Sequence, residues 1–350
     1  MLSVHRSVLF SSRSSLSATK LDHVRRIFLS GSRSSNRQAR SPFQSSRRVK
    51  LTPSEVTVGT GSSPSQGGPR IFGPVVFAFG FSGTCFTFAS IWEYEQMRTK
   101  ALQFKSRAIG WAKNRQDYVN SKHGDLRNQL NAWWKSLTEE QMMFYGLLFI
   151  NTLVFAAWKV PSWQKFMAAY FCSNPFARAV CWPMVFSNFS HYNFLHFGLN
   201  MYVLKSFMDV SAGAMGKEQF LAFYLSAGIM SSLGSHIFKT LMRSPGLSLG
   251  ASGCIMGVLA YFCSMHPDAL LQIAFVPGFT FTADSGLKAL LCFDSLGLLM
   301  RWKMLDHAAH LGGALFGLFW YHWGQNGLWN HRTGLLEVWH SFRNGRKPGE

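Results

Sequence analysis

Four polar side chains stand in otherwise apolar stretches of this chain, and their types suit acyl transfer: Ser252, His310, His196 and Asn200. A serine hydroxyl can attack a carbonyl, a neutral imidazole can take its proton, and amide or imidazole N–H groups can hold the oxyanion that forms. Each residue alone has an ordinary explanation. A serine in an apolar helix commonly bonds its own backbone, and a lone His or Asn commonly bonds a neighbouring helix. The spacing argues for more than that: Ser252 stands in Gly250-Ala251-Ser252-Gly253, while His196 and Asn200 lie one helical turn apart. Asp306 precedes His310 by four residues and is near enough on a helix to suggest a triad. Its neighbours Arg301 and Lys303 make a charge pair or a helix N-cap the simpler role.

The elements that must carry these side chains read as membrane-crossing helices. No residue from Ile71 to Trp92 is charged, and about 20 apolar residues span a bilayer core as a helix. A second span, Met142 to Trp158, follows the capping box Thr138-Glu139-Glu140-Gln141, with Lys159 and Trp163 as interfacial anchors. Five shorter spans are predicted at 194–208, 220–238, 247–265, 287–300 and 308–323, which makes seven. Alternating crossings send the third, fifth and seventh in the same direction, so their N-terminal ends share one membrane face. Those ends carry His196 and Asn200, then Gly250 to Gly253, then His307 and His310. At 1.5 Å of rise per residue, Ser252 lies about 8 Å into its span and His310 about 3 Å into its own.

A helix start also brings unpaired N–H groups and the positive end of the helix dipole, which makes the Ser252 N–H a further oxyanion donor. Gly253 and Gly257 on the fifth span, and Gly313 and Gly317 on the seventh, form GxxxG stripes that permit the close approach a Ser-to-His bond requires. The apolar segment Leu270 to Phe281 contains a Pro277-Gly278 turn and reads as a re-entrant or interfacial segment and a candidate mobile element for substrate entry.

The 350 residues carry a net charge of +19, and much of it is concentrated at the start. Residues 1–50 hold eleven Lys and Arg, fourteen Ser and one acidic residue, Asp22, the composition of a mitochondrial transit peptide. Apolar residues interleaved with the basic ones argue against a tail that binds nucleic acid by charge alone. A flexible linker (51–70), the first span (71–92), a hydrophilic loop (93–141), a six-span core (142–324) and a tail (325–350) complete the organisation. The six cysteines show no metal-ligand spacing, so neither a disulfide framework nor a zinc site is indicated.

Taken together, Trp182, the run His191-Tyr192-Asn193-Phe194-Leu195-His196-Phe197-Gly198-Leu199-Asn200, the Gly250 to Gly253 motif and Ala309-His310-Leu311-Gly312-Gly313 resemble the rhomboid intramembrane proteases over residues 142–324. The additional first span, the basic leader and the run Asp306 to Gly313 are similar to the mitochondrial presenilin-associated rhomboid-like branch. The resemblance implies an all-α polytopic membrane protein, a six-helix rhomboid core preceded by one more transmembrane helix. It implies Ser252 as nucleophile and His310 as general base in a dyad without a carboxylate, with His196, Asn200 and the Ser252 backbone at the oxyanion and with no metal or cofactor. It implies the mitochondrial inner membrane as location, membrane lipid as surroundings and single-span mitochondrial membrane proteins as substrates. Two positions depart from the family: Trp182-Pro183 stands where many members have Trp-Arg, and Met256 where many have Tyr four residues after the serine.

With the leader in the matrix, seven crossings put the Ser252 face toward the matrix. Two other readings are a catalytically silent rhomboid-like protein that holds client helices, and a transporter with a polar-lined path. The second predicts polar residues at several depths, whereas here Met256 to Tyr261 and Ala314 to Trp320 continue as apolar runs beneath the cluster.

Overall fold

The computed structural model describes residues 71–110, 125–273, 278–303 and 305–345. The basic leader and the linker lie outside the described residues. The fold is mostly helical: α1 (Phe72–Gly110), α2 (Asp125–Ser136), α3 (Glu139–Ala157), α4 (Gln164–Tyr170), α5 (Cys181–Phe186), α6 (Phe194–Met215), α7 (Lys217–Leu241), α8 (Ser252–Met265), α9 (Ala283–Leu299), α10 (His307–Phe319) and α11 (Thr333–Arg343). Among the described residues, three stretches are long and apolar enough by length and composition to cross a membrane: Phe72–Ser106 within α1, α3 and α7.

The first helix does not end where its apolar run ends. Beyond Trp92 the sequence is rich in good helix formers and suggests a helical stretch from Met97 within the hydrophilic 93–141 segment; α1 takes in that stretch without a break and continues to Gly110. The emerging part is held by charge: Arg332 donates to Glu93 at 2.5 Å, Trp339 donates to Glu95 at 3.0 Å, and Tyr94 bonds His340 on α11. The capping box at Thr138 forms as the sequence predicts, with both reciprocal bonds present at the start of α3.

α8 is the centre of the fold. Its residues from Gly253 to Cys263 are all buried, and α6, α7, α9 and α10 pack around it. Burial on every side explains why it is apolar all round. It is also short: 14 residues rise about 21 Å against a bilayer core of about 30 Å. The predicted fifth span began at Leu247, but Leu247 to Ala251 form a non-helical strap, so the helix starts at Ser252 itself. That strap is tied down by backbone bonds between Ser173 and Ser248 in both directions, at 2.8 and 2.9 Å. A lipid-exposed strap could not leave its amides unpaired, and here protein supplies the partners.

The segment from Leu270 forms a hairpin, in which β1 (Leu270–Gln272) pairs antiparallel with β2 (Thr280–Thr282) and Leu271 faces Phe281. It follows the C-terminal end of α8, about 20 Å from Ser252 by helix rise. β1 and β2 therefore stand at the end of α8 opposite the serine, whereas the candidate mobile element was expected around Pro277-Gly278. Residues 274–277 lie outside the described residues. α10 continues into a π-helical stretch, Trp320–Trp329, and Trp320 stacks on Phe86 of α1 at 4.1 Å.

Candidate active site

Ser252 is the first residue of α8, with Ala251 at the N-cap. Two bonds hold the strap that delivers it: the Gly250 N–H donates to the Ser187 carbonyl at 2.9 Å, and the Ala251 N–H donates to His191 Nε2 at 3.4 Å. Gly250 has φ +128°, a conformation that side chains rarely adopt. A Cβ there would fall 2.7 Å from His196 Cε1, so glycine also makes room for that ring. His191 is fully buried, and burial, reinforced by the His196 ring, pushes its pKa down to about 3. It thus accepts as a neutral imidazole.

Across the gap, His310 Nε2 lies 3.1 Å from Ser252 Oγ. With Nε2 accepting from the hydroxyl, the ring hydrogen resides on Nδ1 and donates to Asp294 Oδ1 at 3.2 Å. The resemblance implied a dyad without a carboxylate, but a carboxylate lies behind this imidazole. Asp294 is 1% exposed on α9 and also bonds His307 Nδ1 at 2.6 Å. Sequence reasoning missed Asp294. The signal was present, because it is the one acidic residue in the apolar stretch Leu287 to Met300, where a charge is costly without a purpose. Asp306 instead caps α10 through the Ala309 N–H at 3.1 Å, and its other oxygen accepts from Ser235, Ser248 and Lys239. Its ionic partner is Lys239 at 2.8 Å rather than the neighbouring Arg301 or Lys303.

His196 and Asn200 stand one turn apart at the start of α6, which Asn193 caps by accepting from the His196 N–H at 2.7 Å. The His196 ring lies against Gly250 and packs edge-on to His191 at 5.1 Å. Asn200 is buried, and its Nδ2 donates to the His196 carbonyl at 2.8 Å, which leaves the second amide hydrogen for another acceptor. A polar cleft runs beside the serine, lined by Ser187, Asn188, Ser231, Ser232, Ser248 and Asp306.

Glycines bring the two reacting helices together. A Cβ on Gly313 would fall 2.9 Å from the Gly253 carbonyl carbon, and one on Gly317 would fall 3.0 Å from that of Gly257. α8 and α10 are therefore in backbone contact immediately beneath the Ser252 and His310 pair. This contact closes the floor of the site and favours a closed site over a path through the membrane. Among the described residues no cluster of three or more His, Cys, Asp or Glu is arranged to hold a metal ion.

These features coincide with an established pattern. The Rhomboid domain family matches residues 178–324, the stretch that contains all of the site. The chain is 43% identical over 281 residues to the mitochondrial presenilin-associated rhomboid-like protein of Mus musculus, covering 79% of this chain and 73% of that protein. It is 42% identical to the Homo sapiens protein of that name over the same shares. To presenilin-associated rhomboid-like protein A of Danio rerio it is 37% identical over 341 residues, 89% of this chain and 88% of the relative. Similarity over 79% of the chain or more reaches beyond the residues that the family model matches: the chain belongs to the rhomboid family of intramembrane proteases, in its mitochondrial presenilin-associated branch.

Proposed function

We propose that this chain is a serine endopeptidase of the mitochondrial inner membrane that crosses the bilayer seven times and cuts single-span membrane proteins in or beside it. The observation that carries this reading is the 3.1 Å approach of Ser252 Oγ to His310 Nε2 at the start of a buried, short helix. On this reading α6, α8, α9 and α10 with its π-helical extension are the four further crossings, beside the three helices long and apolar enough to cross, α1, α3 and α7. The first turns of α1 lie near α5, as Phe77 packs on Trp182 at 5.5 Å, which supports an entry of α1 on the Ser252 side.

In the reaction, Ser252 Oγ attacks the scissile carbonyl carbon as His310 Nε2 takes the hydroxyl proton. Asp294 stabilises the imidazolium and keeps the hydrogen on Nδ1. The Ser252 N–H, the free Asn200 amide hydrogen and the His196 ring hold the oxyanion, aided by the positive end of α8. Collapse breaks the C–N bond, His310 returns its proton to the leaving amine, and an acyl-enzyme remains. Water from the serine-lined cleft then attacks, again losing its proton to His310, and releases the second product with Ser252 restored. A helical substrate has its carbonyls bonded and shielded, so the segment cut must unwind, and helix breakers near the bond favour cleavage.

The test is cleavage of a single-span reporter in liposomes by wild type, Ser252→Ala and His310→Ala, with product termini read by mass spectrometry. Cleavage in or beside the span that both substitutions abolish supports the reading. Equal cleavage by all three overturns it, and binding without cleavage by any of them moves the weight to a client-holding protein.

A further inference from the structure

His307 stands next to the site, its ring edge-on to that of His310 at 6.5 Å, and makes no hydrogen bond to the serine or the base. Its ring is 3% exposed, and its Nδ1 is 2.6 Å from Asp294 Oδ1, the same oxygen that receives His310 Nδ1 at 3.2 Å. Three neighbours fix the ring. Phe293 packs on it edge-on at 5.5 Å, Trp302 does so at 5.9 Å, and Gly297 lies flat beneath it, where a Cβ would fall 2.5 Å from Cε1. Phe293, Asp294 and Gly297 are on one face of α9, at spacings of three and four residues. The buried imidazole thus sits in an aromatic slot whose floor is a glycine and whose polar end is the catalytic carboxylate. Nothing in that slot requires a histidine for packing alone.

We infer that His307 is a positioning residue: its Nδ1–H locks the Asp294 carboxylate in the rotamer that meets His310, so that Asp294, His307 and His310 act as one unit. This inference rests on the proposed proteolytic reading for its kinetic consequences but not for its geometry. A carboxylate with a single weak bond to His310 can rotate about its side-chain torsion and leave the base free to flip tautomer. The shorter bond from His307 removes that freedom. The oxygen accepts two hydrogens, as a carboxylate oxygen can, and the charge stays on Asp294.

The experiment compares wild type, His307→Phe, His307→Asn and Gly297→Ala, with Asp294→Asn alone and combined with His307→Phe. Phe keeps the ring volume without the donor, while the Asn amide places a donor near the Nδ1 position. Loss of a hydrogen bond to a charged group predicts that His307→Phe lowers kcat about tenfold or more with KM unchanged. His307→Asn recovers most of that loss. Gly297→Ala, which pushes the ring off its floor, behaves like His307→Phe. In the Asp294→Asn background His307→Phe costs little further, a non-additivity that mere packing damage does not give. The independent readout is NMR of the 15N-labelled His310 ring in micelles: a protected Nδ1 proton in wild type and His307→Asn, exchange-broadened in His307→Phe. Kinetics within twofold of wild type in folded His307→Phe, failure of His307→Asn to recover, or an equally protected proton in His307→Phe overturns the inference. Should wild type cleave no reporter, the proteolytic reading falls and the His310 proton alone decides the role of His307.

Discussion

Replacing Gly313 with Ala adds one methyl group, and its effect on catalysis follows from the helix contact. The new Cβ would lie 2.9 Å from the Gly253 carbonyl carbon, whereas non-bonded carbons settle at about 3.5 to 4.0 Å. Both contact points are backbone in regular helices, so neither can rotate away, and α8 and α10 must part by roughly 1 Å. Gly253 adjoins the nucleophile, and Gly313 lies one turn below the base, so the Ser252 to His310 distance opens from 3.1 Å to about 4 Å, beyond hydrogen-bond reach. A misplacement of about 1 Å costs about 10²-fold in rate, or about 2.7 kcal/mol of barrier. Reporter cleavage in liposomes, with thermal unfolding in detergent as the control for folding, measures this. Gly317→Ala is the internal comparison: its clash is similar but one turn deeper, so the helices can hinge and the loss of kcat is smaller. A folded Gly313→Ala protein that cleaves within threefold of wild type refutes the argument that backbone contact sets the reacting distance.

Four further outcomes follow from the same geometry. Asn200→Ala and His196→Ala each lower kcat by about 10² to 10³-fold, the range for losing an oxyanion donor, with KM little changed in the same assay. Asp294→Asn, which reverses the donor and acceptor order behind His310, lowers kcat on the order of 10⁴-fold, and reactivity of Ser252 toward a fluorophosphonate falls in parallel. Gly250→Ala inactivates the protein, because its φ of +128° is strained for alanine and the Cβ meets the His196 ring; the readout is cleavage alongside thermal unfolding. Burial alone raises the Asp306 pKa, but Lys239, Ser235 and Ser248 outweigh it and hold the pKa down to about 2. The stability this contributes is present above the unfolded value of about 3.9 and is lost as pH falls toward the folded value. Asp306→Asn accordingly flattens the thermal-stability profile between about pH 4 and pH 2.

The sequence by itself determined the parts and the face on which they meet. Hydropathy and alternation were enough to place His196, Asn200, Ser252 and His310 near the starts of same-direction helices, because crossing a bilayer leaves only two directions. The GxxxG stripes of Gly253, Gly257, Gly313 and Gly317 were legible for the same reason: a side chain absent at helical spacing marks a close neighbour. Asp294 was legible only as a lone acid in an apolar stretch, and His307 only as a polar residue at the start of the seventh span; that the two meet was not. Asp294 lies near the C-terminal end of α9, a helix that runs the opposite way, and reasoning from helix starts passes over it. Only the packing of α9 against α10 brings its carboxylate under the His310 ring. The partner of Asp306 was hidden likewise, since Lys239 is 67 residues away in sequence and meets it only across the α7 to α10 contact. The true start of α8 was also a tertiary outcome. Leu247 to Ala251 are apolar enough to continue a span, but bonds to Ser173, Ser187 and His191 draw them into a strap. Composition reports whether a residue tolerates the membrane interior, while only partners distant in sequence decide which buried backbone groups are satisfied outside a helix.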